Sequence, residues 1–192
     1  KDGNPISGAT VELNSDLIYK TDGEGRVIIK EEDRKDLDSA YLKVTADGYY
    51  SYTDMYFEGV QFGSHTNVKL YRVGEFAVVN VNVDGKDALN SKATIRTNAK
   101  NKDGSVANIT FSSKIYGEVS KIDIVQNDKA LTANSRKVNS SEYIYTNTYT
   151  ASDFTEGDSV YMYVTLKSGE VEKTKLNINS VRVFTDDISV KL

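Results

Sequence analysis

Apolar residues recur at every second position along almost the whole of this 192-residue chain, and no long segment carries them at helical spacing. Ala9, Val11 and Leu13 alternate with Thr10 and Glu12, and Val160, Met162 and Val164 alternate with Tyr161 and Tyr163. Such a period suits extended segments with one buried and one solvated face. Strands are therefore expected at 9–13, 17–20, 26–30, 41–45 and 68–72. Beyond these they are expected at 76–83, 93–97, around Ile109 and Phe111, around Ile122 and Ile124, and at 143–149, 160–166 and 173–178. Turn chemistry separates them: Thr21-Asp22-Gly23-Glu24-Gly25, Asp47-Gly48, Asp84-Gly85, Lys102-Asp103-Gly104 and Ser168-Gly169. The charged run Lys30 to Asp38 reads as a solvated loop or a single helical turn. The expected class is all-β.

The rhythm changes at Gly74, where Phe76 to Val83 opens a new series with Val79, Val81 and Val83 on one face. We expect two tandem antiparallel β-sandwiches, at 1–74 and 75–192, each able to bury a core of its own. The linker at Val73 to Glu75 is too short for independent tumbling. No apolar stretch approaches the length of a membrane span. Lys at position 1 and the strand-like Val190-Lys191-Leu192 suggest an excised piece of a longer protein.

Charge narrows the partners. The chain carries 9 basic against 13 acidic side chains up to Gly74, and 15 against 15 beyond it. Neither part has the basic field that nucleic acid or an anionic membrane demands. With no cysteine there is no disulfide, no thiol nucleophile and no Cys-ligated zinc. A small secreted domain without disulfides, rich in Lys, Asn, Ser, Thr and Tyr, suits a bacterial surface more than a eukaryotic one.

Three stretches in order resemble one family. Asp2-Gly3-Asn4-Pro5-Ile6-Ser7-Gly8-Ala9-Thr10-Val11, Thr21 to Val27, and Tyr41 to Tyr49 resemble the carboxypeptidase regulatory-like domain over about residues 1–72. The resemblance implies a transthyretin-like (prealbumin-like) sandwich of about seven strands that accompanies peptidases, transporters and adhesins without catalysing anything itself. The related CnaB-type domains of pilins and adhesins join a Lys to an Asn or Asp with help from a strand Glu. Tyr41 to Thr45 holds no acid, so no isopeptide crosslink is expected here, although Lys1 stands near the usual Lys region. The second part resembles a bacterial immunoglobulin-like module in pattern, through Phe154-Thr155-Glu156-Gly157-Asp158-Ser159-Val160-Tyr161.

Reactive chemistry is thin. His65 is the only imidazole, and its neighbour Ser64 points the other way in extended chain, so a loop histidine is the preferred reading. Carboxylates group at Asp22/Glu24, at Asp33/Asp36/Asp38 and at Asp153/Glu156/Asp158, and none of these groups matches an EF-hand loop. They read as turn acids, with structural calcium as the alternative, so no cofactor is expected. Thirteen tyrosines beside no tryptophan are the one excess. Tyr161 and Tyr163 share the outward face of their strand. Tyr143, Tyr145 and Tyr149 share a parity on theirs. If the two strands are neighbours, these five line one face, a platform for polysaccharide or a surface protein. Cross-strand tyrosines that merely support an exposed sheet are the preferred reading. A second aromatic group, Tyr49, Tyr50, Tyr52, Tyr56 and Phe57, follows the Asp47-Gly48 turn.

The resulting expectation is a non-catalytic structural or spacer pair in a bacterial cell-surface or secreted protein, positioning a neighbouring adhesin, enzyme or anchor. Its partners would be adjacent domains of the same polypeptide. The alternatives are a carbohydrate- or protein-binding module and a decoration domain of a phage virion.

Overall fold

The computed structural model describes residues 3–34, 40–57 and 65–183, the side chains at 31, 34, 40 and 55–57 excepted. The chain divides into two compact units, Lys1–Glu75 and Phe76–Leu192. Strands and short 3₁₀ turns make up the regular structure among the described residues.

The N-terminal unit holds one antiparallel sheet, with β1 (Thr10–Leu13), β2 (Leu17–Lys20), β3 (Ala40–Thr45) and β4 (Tyr52–Phe57) in the order β2-β1-β3-β4. Register aligns Leu13 with Leu42 and Val11 with Val44, so the aliphatic half of each strand falls on one face. Ala9, Leu13, Leu42 and Val44 are buried there under Leu70. Glu12 and Lys43 face each other on the opposite side, 3.9 Å apart. The expected strand at 26–30 does not form. The Asp22 carboxylate accepts the N–H groups of Glu24 and Arg26, which curls the chain, and Ile28 is left 86% exposed while only Ile29 reaches the core. The segment 68–72 is likewise no strand; a single bridge joins Arg72 to Tyr49. Among the described residues the second layer is thus irregular chain rather than a second sheet.

Local chemistry explains two of the turns. Thr21 accepts the Ala9 N–H with its hydroxyl and donates to the Ile6 carbonyl, at 2.8 and 2.6 Å, which ties the 21–25 turn to the entry of β1. Gly25 lies against Pro5 so closely that a Cβ there would come 2.8 Å from the proline's Cβ, and its φ is +71°. The run 31–34 forms one 3₁₀ turn, held by the Tyr19 hydroxyl donating to Asp33 at 2.6 Å. Burial, followed by the Asp33 carboxylate, pushes the Tyr19 phenol up to about 12.

In the C-terminal unit, β5 (Ala77–Val83), β6 (Lys86–Asp87), β7 (Ala93–Arg96), β8 (Asn108–Tyr116), β9 (Val119–Gln126) and β10 (Lys129–Ala130) come first. They are followed by β11 (Ser135–Asn139), β12 (Ile144–Thr150), β13 (Val160–Leu166), β14 (Val171–Leu176) and β15 (Ile178–Val181). One sheet has the order β11-β12-β8-β5-β6 and the other β10-β9-β13-β14, with β15 and β7 paired separately and in parallel. Both sheets send side chains into a single core: Val81, Phe111, Ile115 and Tyr149 from one, Ile124, Val160, Met162 and Val164 from the other. Asp84 and Gly85, both at positive φ, close the β5–β6 hairpin, and Gly169 closes β13–β14. Asn127 and Asp128 do the same for β9–β10 without any glycine.

The expected Val79-Val81-Val83 face needs correction. A register shift between Val78 and Asn80 marks a bulge, below which Val78 rather than Val79 packs against the core.

Candidate functional site

The outward face of β13 and β14 carries two tyrosines, Tyr161 and Tyr163, beside Lys173. Val160, Met162 and Val164 are buried, so strand parity turns Tyr161 and Tyr163 outward. Antiparallel register places Lys175 opposite Tyr161 and Lys173 opposite Tyr163. Lys173 leans along the strand and sets its ammonium 4.1 Å from the Tyr161 ring centre and 5.3 Å from that of Tyr163. A hydrogen bond to the Tyr163 side chain, followed by smaller effects of the nearby phenols, holds the Lys173 ammonium above its ordinary pKa. The two rings therefore share one cation, a pairing whose strength comes from the ring quadrupole.

On the β9 side of this face, Asp123 lies opposite Tyr163. It binds Lys121 at 2.8 Å and Arg136 at 3.0 Å. Arg136 comes from β11 of the other sheet and also donates to the Ile122 carbonyl at 2.6 Å. Buried Asn147 of β12 donates to the same carbonyl. The two sheets are thereby clasped along one side. Burial opposes the charged form of Asp123, but the Lys121 and Arg136 hydrogen bonds outweigh it and hold the carboxyl below the usual range. A carboxyl lowered in the folded state contributes stability above its unfolded pKa of about 3.9, and that contribution is lost as pH falls through the folded value. Asp123→Asn is accordingly expected to flatten the acid limb of a thermal-melting pH series below about pH 4 and to leave the limb above pH 7 parallel to wild type.

The other tyrosines lie elsewhere. β12 belongs to the opposite sheet from β13, so the five tyrosines do not share a face. Tyr149 is fully buried, its ring edge-on to Phe111 at 5.5 Å, because Tyr145, Asn147 and Tyr149 form the inward side of β12. Its hydroxyl makes no hydrogen bond of good geometry. Tyr143 precedes the strand with φ +59° and packs edge-on against buried Tyr116 at 5.3 Å. In the N-terminal unit Tyr49 and Tyr52 pack against the core, with the Arg72 guanidinium 5.7 Å from the Tyr49 ring centre. The side chains of Tyr56 and Phe57 lie outside the described residues.

Of the carboxylates grouped in the sequence, Asp22 and Asp153 accept backbone N–H groups of their own turns, Asp33 accepts from the Tyr19 hydroxyl and Glu24 pairs with Arg26, and acids outside those groups also engage backbone. Asp84 accepts the Thr110 N–H, Asp87 the Leu89 and Asn90 N–H groups, Asp103 the Ser105 N–H, and Asp153 the Thr150 N–H. The Leu89 N–H holds Asp87 below the usual carboxylate range, and the Ser105 hydroxyl does so for Asp103. Asp158 accepts from the Asn127 amide at 2.8 Å. No group of three or more potential metal ligands occurs among the described residues. Asp36 and Asp38 lie outside them, as does Ser64, and His65 is exposed.

At one pole of the C-terminal unit, Thr97, Ala99, Val106, Phe154, Glu156 and Arg182 line an open cleft of about 570 Å³. Its walls bring segments distant in sequence together. Three residues that organise the unit were not singled out from the sequence: Lys173, Arg136 and Gln126. Polar and charged residues on strands carry no signal of the neighbour they will meet. Only the parity of Lys173 relative to Tyr163 could have pointed to its ring contacts.

The chain matches no family model, no curated protein and no solved structure.

Proposed function

We propose that the two units are non-catalytic structural modules of a larger bacterial cell-surface or secreted protein, which hold a neighbouring adhesin, enzyme or anchor in position. In this reading the N-terminal unit is a carboxypeptidase regulatory-like, transthyretin-related domain and the C-terminal unit an immunoglobulin-like one. The observation that carries it is how the polar side chains are used. Asp22, Asp84, Asp87, Asp103 and Asp153 accept backbone N–H groups of nearby turns or strands, and Asp123 clasps one sheet to the other. Carboxylates engaged in this way build the scaffold; a general acid or base instead needs a lone pair aimed at a substrate. The cation pairing of the outer tyrosines supports the same reading, since Lys173 already occupies the neighbourhood that a sugar ring would stack upon.

The test uses the outer face itself. The double variant Tyr161→Ala with Tyr163→Ala is expected to lose about 0.4–2 kcal/mol of stability, the sum of two half-buried cross-strand aromatic contacts, in urea denaturation. Wild type and variant should give the same blank response on glycan arrays and in pull-downs. A polysaccharide or protein bound by wild type and released by the double variant would replace the structural reading with a binding one.

A further inference from the structure

The last described strand is joined to the unit in an arrangement unlike the antiparallel ladders around it. β15 runs parallel to β7, with Ile178 beside Ala93 and Val181 beside Arg96. The pairing extends past both ends of the strands. Ala93 donates its N–H to the Asn177 carbonyl at 3.0 Å, and Thr97 donates to Val181 at 2.9 Å. Asn98 then continues the ladder with its side chain. Its Nδ2 donates to the Val183 carbonyl at 2.6 Å, and its Oδ1 accepts the Val183 N–H at 3.0 Å. These partners are 85 residues apart in sequence. The inner side chains Ala93 and Ile95 are fully buried, which roots β7 in the core.

The registers also fix where the two ends of the described unit lie. Ala77 pairs with Tyr116, and Phe76 lies against Gly117, so the chain enters at the end of β8. Ala107, just before β8, donates to Ala99, just after β7. The end of β7 is therefore beside the start of β8, and Val183 is bound to Asn98 at that same pole. Phe76 and Val183 stand at opposite poles.

Tension between these poles pulls β15 from its C-terminal end, while β7 is held from its N-terminal end through the link back to β6 and β5. Parallel strands pulled from opposite ends must slide past each other, so every rung bears load at once. β5, where the load enters, is laddered to β8 from Ala77 to Val83 and to β6 at Asn82 and Val83. The four-residue β15 has the shorter ladder and would be the element that yields.

We infer that the C-terminal unit is a load-bearing module whose shear clamp is the β7–β15 pair completed by Asn98. The inference rests on the structural-module reading and gives it a mechanical task, the resistance of tension along the chain.

Single-molecule force spectroscopy tests it on the full chain, which has no native cysteine to compete with engineered attachment points. Handles introduced by Glu75→Cys and Lys191→Cys load the clamp in shear. Handles introduced by Asp103→Cys and Lys191→Cys pull both strands from the same pole and open the rungs one by one. The shear geometry is expected to need at least about twofold more force than the peeling one, because the rungs share the load. Asn98→Ala should speed forced unfolding in shear about fivefold or more, the loss of two hydrogen bonds to one residue, and change the peeling force less. Equal forces in the two geometries would overturn the clamp, as would an Asn98→Ala chain that keeps its full shear resistance. A chain that fails in this way yet binds no glycan or protein loses only the clamp. A ligand released by the Tyr161/Tyr163 double variant overturns the structural reading whatever the forces are.

Discussion

Phe111→Ala is expected to lower the unfolding free energy of the C-terminal unit by about 4 kcal/mol, the middle of the range for a buried aromatic truncated to alanine. Phe111 is 1% exposed. Its ring stands edge-on to Tyr149 at 5.5 Å and stacks on Phe154 at 5.9 Å, while Tyr149 meets Phe154 at 6.2 Å. Truncation removes the transfer energy of the ring, opens a void between the two sheets, and deletes two aromatic contacts worth about 1 kcal/mol each. The void is poorly placed for repair, because Tyr149 and Phe154 are held by strand register and by a tight loop. Urea denaturation followed by hydrogen exchange checks the result. Protection should collapse for the amides of β8, β12 and β13, while β1 and β3 keep theirs, since their core shares no residue with this one. A loss below about 1.5 kcal/mol would mean that the aromatic trio is less central to the unit than its burial implies.

Gln126→Leu is the second large effect, expected at about 3 kcal/mol. The side chain is 3% exposed and spends its whole amide on one loop. Nε2 donates to the Thr155 carbonyl at 2.8 Å and to the Asp158 carbonyl at 3.2 Å, and Oε1 accepts the Thr155 N–H at 2.8 Å. The 154–158 loop has few other ties: Gly157 donates to Ser180, Phe154 to Ala151, and the Asn127 amide to the Asp158 carboxylate. Leucine is close to glutamine in volume but gives up three part-buried hydrogen bonds, to the Thr155 N–H and carbonyl and the Asp158 carbonyl, at about 1 kcal/mol each. Gln126→Glu separates the two ends of the amide. It keeps the acceptor for Thr155 but points a second oxygen at two carbonyls, so its melting temperature should fall further than that of Gln126→Leu at pH 7 and recover as the carboxyl is protonated. A Gln126→Glu melting temperature that does not move between pH 7 and pH 4 would exclude this account of the loop.

Much of the strand inventory was legible because alternation is a one-dimensional signal. The parity of Val160, Met162 and Val164 identifies the inward side of β13 before any partner is known, and Ser168-Gly169 and Asp84-Gly85 announce the hairpins they make. The errors fall where that signal is weak. Val27-Ile28-Ile29 has strand composition, yet the Asp22 carboxylate competes for the backbone and the segment never pairs. β11 carries Ser, Arg, Lys and Asn at an exposed edge and shows no alternation at all. The bulge near Val79 exchanges one valine for another at the core without leaving a mark in the pattern.

The aromatic surface divides in the same way. Outward Tyr161 and Tyr163 follow from parity alone. Inward Tyr149 does not, because a tyrosine suits either side of a strand: its ring gains by burial and its hydroxyl by solvent. Parity showed that Tyr145 and Tyr149 share a side, and the core decided that this side is the inner one. Nothing in the residues could say that β12 and β13 lie in different sheets, since the strand each will meet is separated from it by unrelated chain.

From the amino-acid order alone follow the all-β class, the positions of most turns, and the side of each strand that is apolar, all of them set by neighbours within a few residues. Tertiary structure alone decided which strands pair, how Arg136 and Asp123 come to clasp two sheets, and that β15 closes the unit in parallel with β7. These depend on contacts between segments tens of residues apart, whose meeting is governed by the packing of the whole core and not by local preference.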